Sequence, residues 1–110
     1  MPTDPFAALA NPVRRQILDA LRGGPHPVGE IVELFRLSRP AVSEHLRVLR
    51  EAELVAEQRR GQQRLYYLTA APLAGVEEWL HPFERYWRGR LRDLADFLDE
   101  HMDAQKGDPQ

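Results

Sequence analysis

The sequence contains no cysteine among its 110 residues. Disulfide bonds, zinc sites with thiolate ligands, iron–sulfur clusters and a cysteine nucleophile are therefore excluded. Long apolar runs are also absent, because the apolar stretches are only a few residues long. We therefore expect neither a membrane-spanning helix nor a signal-peptide core. Together these absences predict a soluble, cytoplasmic protein that does not associate with a membrane.

Motifs that mark common enzyme classes are missing as well. The chain has no glycine-rich phosphate loop, no GxSxG and no HExxH motif. We expect neither a catalytic site nor a bound cofactor. The composition, with 43% hydrophobic and 29% charged residues, is typical of a single globular domain. A chain of this length buries only a modest core, which association into an oligomer would supplement.

Charge is unevenly distributed along the chain, although the net charge is only −2. Between residues 11 and 67, ten arginines outnumber seven acidic residues, which gives +3. From residue 68 onward, five basic and nine acidic residues give −4. A mildly basic body is therefore followed by an acidic C-terminal segment, and this asymmetry is more informative about partners than the total charge.

Apolar periodicity predicts three helices in the first part of the chain. A short helix begins near Asp4. The pair Asn11-Pro12 is typical of an N-cap followed by proline at the first helical position, and the second helix ends at residues 23–25 (GGP). A third helix is predicted from about Val28 to Phe35.

A fourth helix is predicted to begin after Ser38, whose side chain can cap it. Its first turn tolerates Pro40, because the first amides of a helix need no intrahelical acceptor. Val42, Leu46 and Leu49 form a buried stripe at helical spacing, and the opposite face carries arginine, serine and glutamate. Two helices joined by a short turn, with such a polar face on the second, are typical of a helix-turn-helix.

The pattern then changes to two extended segments, predicted at residues 54–59 and 63–68. Gly61 lies between them, where a hairpin needs a residue that tolerates positive φ. A hairpin with a basic tip directly after a helix-turn-helix is a wing. A long helix is predicted at residues 72–101, with Pro82 expected to bend or interrupt it. The sequence therefore predicts a mainly helical winged helix-turn-helix with a small β-hairpin.

The polar face of the fourth helix and the hairpin tip form the strongest functional pattern. In a major groove, Arg39 and Arg47 can donate to guanine edges or phosphates, Ser43 can make a short polar contact, and Glu44 can accept from a cytosine amino group. The basic tip can reach phosphates or the adjacent minor groove. This pattern favours double-stranded DNA as partner over a merely solvated face. A winged helix that binds another protein is the alternative, but arginines on both helix and hairpin favour DNA.

Four stretches of the chain resemble the ArsR/SmtB family of bacterial winged-helix repressors. They are residues 11–21 (NPVRRQILDAL), 37–50 (LSRPAVSEHLRVLR), 53–55 (ELV) and 60–67 (RGQQRLYY). The resemblance implies a homodimer that binds a palindromic operator and represses transcription. It places on the recognition helix Ser38, Arg39, Pro40, Ser43, Glu44 and Arg47. It places on the wing Arg59, Arg60, Gln62, Gln63 and Arg64.

Two departures from the family pattern are informative. Glu53 stands where glycine usually ends the recognition helix. The cysteine-pair motif of the metal-sensing members is replaced by residues 30–35 (EIVELF). His81 with Glu84, and His101 with nearby carboxylates, do not complete a tetrahedral site. We therefore expect no metal site.

The final helix resembles a non-metal, autorepressor-like branch of the family over residues 83–98. Its aromatic residues predict packing in the core or in a dimer interface, with a small-molecule pocket as the alternative. A repressor of the same family that responds to a metal or a small molecule is the functional alternative, and the sequence identifies no effector.

The expected domain is residues 1–104, with a DNA-reading core at 11–69, a dimerisation helix at 71–102 and a disordered tail at 105–110. The expected dimer interface comprises Phe6, Leu9, Leu73, Val76, Leu80, Phe83, Trp87 and Leu94.

Overall fold

The computed structural model describes residues 3–106 of the chain, with side chains through residue 102. It contains two compact units, one ending at Val76 and one beginning at Glu77. The elements in chain order are α1 (Pro5–Leu9), α2 (Pro12–Leu21), β1 (His26–Pro27), α3 (Val28–Phe35), α4 (Arg39–Glu51), β2 (Val55–Arg60), β3 (Gln63–Leu68) and α5 (Ala71–Lys106). The predicted mainly helical fold with a β-hairpin wing is confirmed. None of the described helices combines the length and the apolar character needed to cross a membrane.

Side-chain caps fix the starts of α2 and α4. The Asn11 side-chain oxygen accepts hydrogen bonds from the amides of Val13 at 2.8 Å and Arg14 at 3.1 Å. The Ser38 hydroxyl accepts one from the Ala41 amide at 3.2 Å. Each cap satisfies amides that the first turn of a helix leaves without a partner, and each is followed by an early proline. Both caps predicted from the sequence are confirmed.

The core is formed by the apolar faces of α2, α3 and α4 together with the start of β2. The stripe predicted on α4, namely Val42, Leu46 and Leu49, is fully buried. Burying a side chain of this size stabilises the fold by roughly 1.5–3 kcal/mol. The other large buried side chains are Ile17, Leu18, Leu21, Ile31, Leu54 and Val55. Because the core holds one face of α4, the opposite face must point to solvent.

The sheet has three antiparallel strands in the order β1-β3-β2. β2 and β3 pair from Val55 with Leu68 to Arg60 with Gln63, one residue later along β2 than the sequence predicted. Gly61 turns the hairpin with φ +64°. The strand β1 was not predicted; its residue His26 pairs with Tyr66 of β3. Two residues are too short to produce the alternation from which a strand is recognised.

Helix α5 is continuous through Pro82, so the expected interruption does not occur. A proline removes one backbone donor from a helix and crowds the preceding turn, but the hydrogen-bonded turns on either side keep this segment helical. The helix also includes Gln105 and Lys106, which had been predicted as the start of the tail. The rest of that predicted tail, residues 107–110, lies outside the described residues.

Candidate nucleic-acid interface

The outer face of α4 carries the six residues predicted for the recognition helix. All six, from the Ser38 cap to Arg47, are exposed. Arg39, Ser43 and Arg47 follow one another at four-residue spacing, so they share one helical face. The face exists because the buried stripe anchors the other side of the helix to the core. It presents hydroxyl, guanidinium and carboxylate groups to solvent.

The tip of the hairpin carries the five residues predicted for the wing, and all of them are exposed. The ladder places Arg59 directly opposite Arg64, and Arg60 opposite Gln63. Like charges in directly opposite positions destabilise an antiparallel pair. The tip therefore concentrates positive charge that an anion would neutralise.

An open cleft of about 720 Å³ borders both α4 and the wing. Five of the predicted DNA-binding residues line it, two from α4 and three from the hairpin: Arg39, Ser43, Gln62, Gln63 and Arg64. Glu30 and Glu33 of α3 also line it and lower its positive potential. Glu44, Arg47, Arg59 and Arg60 are not part of this lining. The structure thus brings together one part of the predicted site and leaves the other on the flanking surface.

Arg47 is held by two carboxylates of its own helix, and we call Glu44, Arg47 and Glu51 the Arg47 cluster. Arg47 Nε donates to Glu44 Oε2 at 3.0 Å and Nη2 donates to Glu44 Oε1 at 2.5 Å. On the other side Nη1 donates to Glu51 Oε1 at 2.5 Å. Two parallel bonds between guanidinium and carboxylate are the strong, directional form of this ion pair. Arg47 and Glu44, predicted to contact DNA, are paired with each other in the structure.

This arrangement shifts the pKa values of all three side chains of the Arg47 cluster. The hydrogen bonds from Arg47 lower the pKa of the Glu44 carboxyl below its ordinary value. The pKa of Glu51 is lowered first by the Thr3 hydroxyl, which donates to Oε2 at 3.0 Å, and then by Arg47. The two carboxylates in turn raise the pKa of Arg47. All three groups are therefore charged at neutral pH, and the Arg47 cluster has a net charge of −1.

A second polar contact, which the sequence did not predict, joins α4 to the wing. Arg50 Nη1 lies 2.9 Å from Glu57 Oε1 on β2. Glu57 is the ladder partner of Tyr66 on β3. Burial raises the pKa of the Tyr66 phenol, and the neighbouring Glu57 carboxylate raises it further. The contact between Arg50 and Glu57 ties the last turn of α4 to β2 of the hairpin.

The turn that ends α4 is in the left-handed conformation. Glu53, at the position where the family resemblance expected glycine, has φ +60°. Its amide donates to the Arg50 carbonyl at 2.9 Å, and its own carbonyl accepts from the Thr69 hydroxyl. The Leu54 amide donates to Leu49 at 3.0 Å. These bonds satisfy carbonyls at the end of the helix and direct the chain into β2.

The residues predicted for the dimer interface differ in exposure. Leu9, Leu73 and Val76 are half-buried, and Leu9 and Leu73 pack in part against the core. The remaining five are exposed: Phe6, Leu80, Phe83, Trp87 and Leu94. His81 Nδ1 and Glu84 Oε2 lie 3.6 Å apart. Among the side chains of residues 3–102, no group of three potential metal ligands comes together.

Comparison with known proteins agrees with this geometry. The family model described as bacterial regulatory protein, arsR family, matches residues 11–57. The transcriptional repressor SdpR of Bacillus subtilis is 40% identical over 71% of this chain and 87% of its own length. The regulator Rv2034 of Mycobacterium tuberculosis is 38% identical over 93% of this chain and 92% of its own. The crystal structure of the ArsR family transcriptional regulator RHA00566 superimposes with a TM-score of 0.67 at 30% identity, over 76% of this chain and 91% of that one. These relatives are regulators and not enzymes, and the chain belongs to the arsR family of DNA-binding bacterial transcriptional regulators.

Proposed function

We propose that the protein is a sequence-specific repressor that binds a palindromic operator as a homodimer, with α4 in the major groove and the wing beside it. The observation that carries the proposal is the set of unpaired arginines on the exposed face of α4 and on the wing. Within the described part of the chain, no carboxylate partner is present for Arg39, Arg59, Arg60 or Arg64. Exposed guanidinium groups that are not neutralised internally are available to phosphates and guanine edges.

The proposed division of labour follows from position. Arg39 and Ser43, on the exposed face of α4, contact base edges. Ser38 and Pro40 place the start of that helix against the sugar-phosphate backbone of the DNA. The wing residues contact phosphates or enter the minor groove, because guanidinium groups are attracted to its negative potential. Two recognition helices must then lie about one turn of duplex, roughly 34 Å, apart.

The proposed partner for the C-terminal helix is a second copy of the chain. From Glu77 onward the large apolar side chains of α5 are exposed, for example Trp87 at 36% and Leu94 at 52%. Such a stripe of apolar surface on one helix is costly in water and is typical of an association surface. In this proposal residues 71–102 form the dimerisation helix, assisted by Phe6 and Leu9 of α1, and residues 11–69 read the operator.

Membership of a non-metal branch of the family is also part of the proposal. Structural support comes from the donor set: thiolates are absent, and the described side chains form no three-ligand group. Any signal that releases the operator would then act without a bound metal.

The experiment that tests the proposal is selection of bound sequences from a random pool of duplexes by the full-length protein. We expect enrichment of a two-fold symmetric sequence with half-sites about ten base pairs apart centre to centre. Sedimentation of the same preparation should show a dimer at micromolar concentration. A monomer that enriches no sequence, even at low salt, would contradict both parts of the proposal.

A further inference from the structure

The Arg47 cluster places a net negative charge on the face of α4 that is proposed to enter the major groove. All three side chains are solvent-accessible, with relative exposures of 48% for Arg47, 60% for Glu44 and 40% for Glu51. They are therefore not parts of the core, and the groups can exchange partners when DNA approaches. Arg39 differs from Arg47 in this respect, because no carboxylate among the described residues forms an ion pair with Arg39.

A phosphate is a poor competitor for the Arg47 guanidinium in this arrangement. To form a bidentate contact with Arg47 through Nε and Nη2, a phosphate must displace Glu44, which accepts hydrogen bonds from both of these nitrogens. The displaced carboxylate would remain close to the phosphate, and the two negative charges would repel each other. Contact with the backbone of arbitrary DNA therefore gains little from Arg47.

A C·G base pair is a better competitor, because its major-groove edge carries a donor and acceptors side by side. The cytosine amino group can donate to Glu44, while O6 and N7 of the paired guanine accept from Arg47. Glu44 and Arg47 then keep their charges satisfied without facing a phosphate. Glu44 as acceptor and Arg47 as donor therefore match the donor and the acceptors on the major-groove edge of a single C·G base pair.

We propose, on the basis of the DNA-binding function proposed above, that Glu44 is a specificity-determining residue. It withholds Arg47 from the phosphates of non-operator DNA and directs it to a C·G base pair in each half-site. Glu51 assists from the next turn of α4, where Thr3 holds its second oxygen. Specificity thus arises because non-operator binding is weakened as well as because operator binding is favourable.

The test compares the parent protein with Glu44→Gln by fluorescence anisotropy on two duplexes, between 50 and 200 mM salt. One duplex is the sequence selected from the random pool, and the other is a scrambled sequence of the same length and composition. In Glu44→Gln, Arg47 keeps its contact with Glu51 but loses the bidentate carboxylate, so it can turn Nε and Nη2 to one more phosphate, and the salt slope on scrambled DNA should steepen by about 0.9. The variant's gain in affinity should then be about 3.5-fold larger at 50 mM than at 200 mM salt. The ratio of selected to scrambled affinity should fall at least about fivefold.

Two further variants separate this explanation from a general effect of charge. Asp19→Asn makes the same charge change in an exposed pair on α2, where Asp19 lies 3.6 Å from Arg22, and its salt slope should equal that of the parent. The double variant Glu44→Gln/Arg47→Gln should lose the gain on scrambled DNA. Circular dichroism of each variant verifies that the helices are intact.

The possible failures are distinguishable. A parent that binds neither duplex overturns the proposed function and this inference with it. A parent that prefers the selected duplex, combined with a Glu44→Gln variant of unchanged slope and ratio, overturns the inference alone. Equal gains by Glu44→Gln and the double variant would show that repulsion by Glu44, and not its hold on Arg47, controls non-operator binding, and this also overturns it.

Discussion

Replacement of Glu53 by glycine is predicted to stabilise the protein. Glu53 has φ +60°, a left-handed conformation that costs an L-residue roughly 1–2 kcal/mol. Glycine adopts it without that cost but loses about 0.5–1 kcal/mol more backbone entropy on folding. The side chain of Glu53 is exposed, so its removal sacrifices little packing. The free energy of unfolding should therefore increase by about 0.5–1 kcal/mol.

The assay is equilibrium unfolding in urea, with a thermal scan at the same protein concentration, because the proposed dimer would make stability concentration-dependent. For a domain of this size the gain corresponds to a rise of roughly 2–8 °C in Tm. Glu53→Ala is the matched control: it removes the carboxylate but keeps the Cβ atom that causes the strain. Its stability should remain within about 0.5 kcal/mol of the parent.

Two results would refute this reasoning. A Glu53→Gly variant that is less stable than the parent would mean that the turn carries no releasable strain. Equal stabilisation by alanine and glycine would mean that the carboxylate, and not the backbone conformation, is unfavourable at this position.

Three other variants test the proposed DNA surface, the proposed dimer and the contact between α4 and the wing. Arg60→Ala should weaken binding to all duplexes nearly equally and reduce the magnitude of the salt slope by about 0.9, measured by anisotropy; a loss confined to one sequence would indicate base contact instead. Trp87→Ala should shift sedimentation toward monomer and lower DNA affinity as a consequence, whereas an unchanged dimer would exclude its role in the interface. The pKa of the Tyr66 phenol is raised in the folded state, so this phenol stays protonated above pH 10, where it ionises in the unfolded chain. The free energy of unfolding should therefore fall as pH rises through that range. Tyr66→Phe should make this decrease smaller in urea unfolding between pH 9 and 11, and an identical decrease in both proteins would count against it.

The helices were predictable because their signals are local. The Asn11 and Ser38 caps, the early prolines and the three-to-four-residue spacing of the buried side chains all lie within single elements. The exposure of the α4 face then follows, since burial of one side of a helix determines the other. The hairpin was predictable for the same reason, with Gly61 as its turn residue.

Contacts between elements were not predictable in this way. Nothing in the sequence near Arg50 indicates that Glu57 will lie beside it, because that contact depends on how the hairpin packs on α4. The strand β1 can be recognised only in the structure, through its pairing with β3. The Arg47 cluster is different, because its three- and four-residue spacings are those of helical ion pairs and the sequence alone carries that signal.

The juxtaposition of Arg59 and Arg64 across the hairpin has a consequence for how the protein behaves in different buffers. Arginines in directly opposite positions repel each other, and a multivalent anion such as sulfate between them would relieve that repulsion much as a nucleic acid backbone does. At equal ionic strength, sulfate should therefore protect the hairpin against proteolysis more than chloride does, and it should compete for the operator more strongly. Dissociation constants measured in chloride and in sulfate would then differ systematically, with the hairpin as the source of the difference.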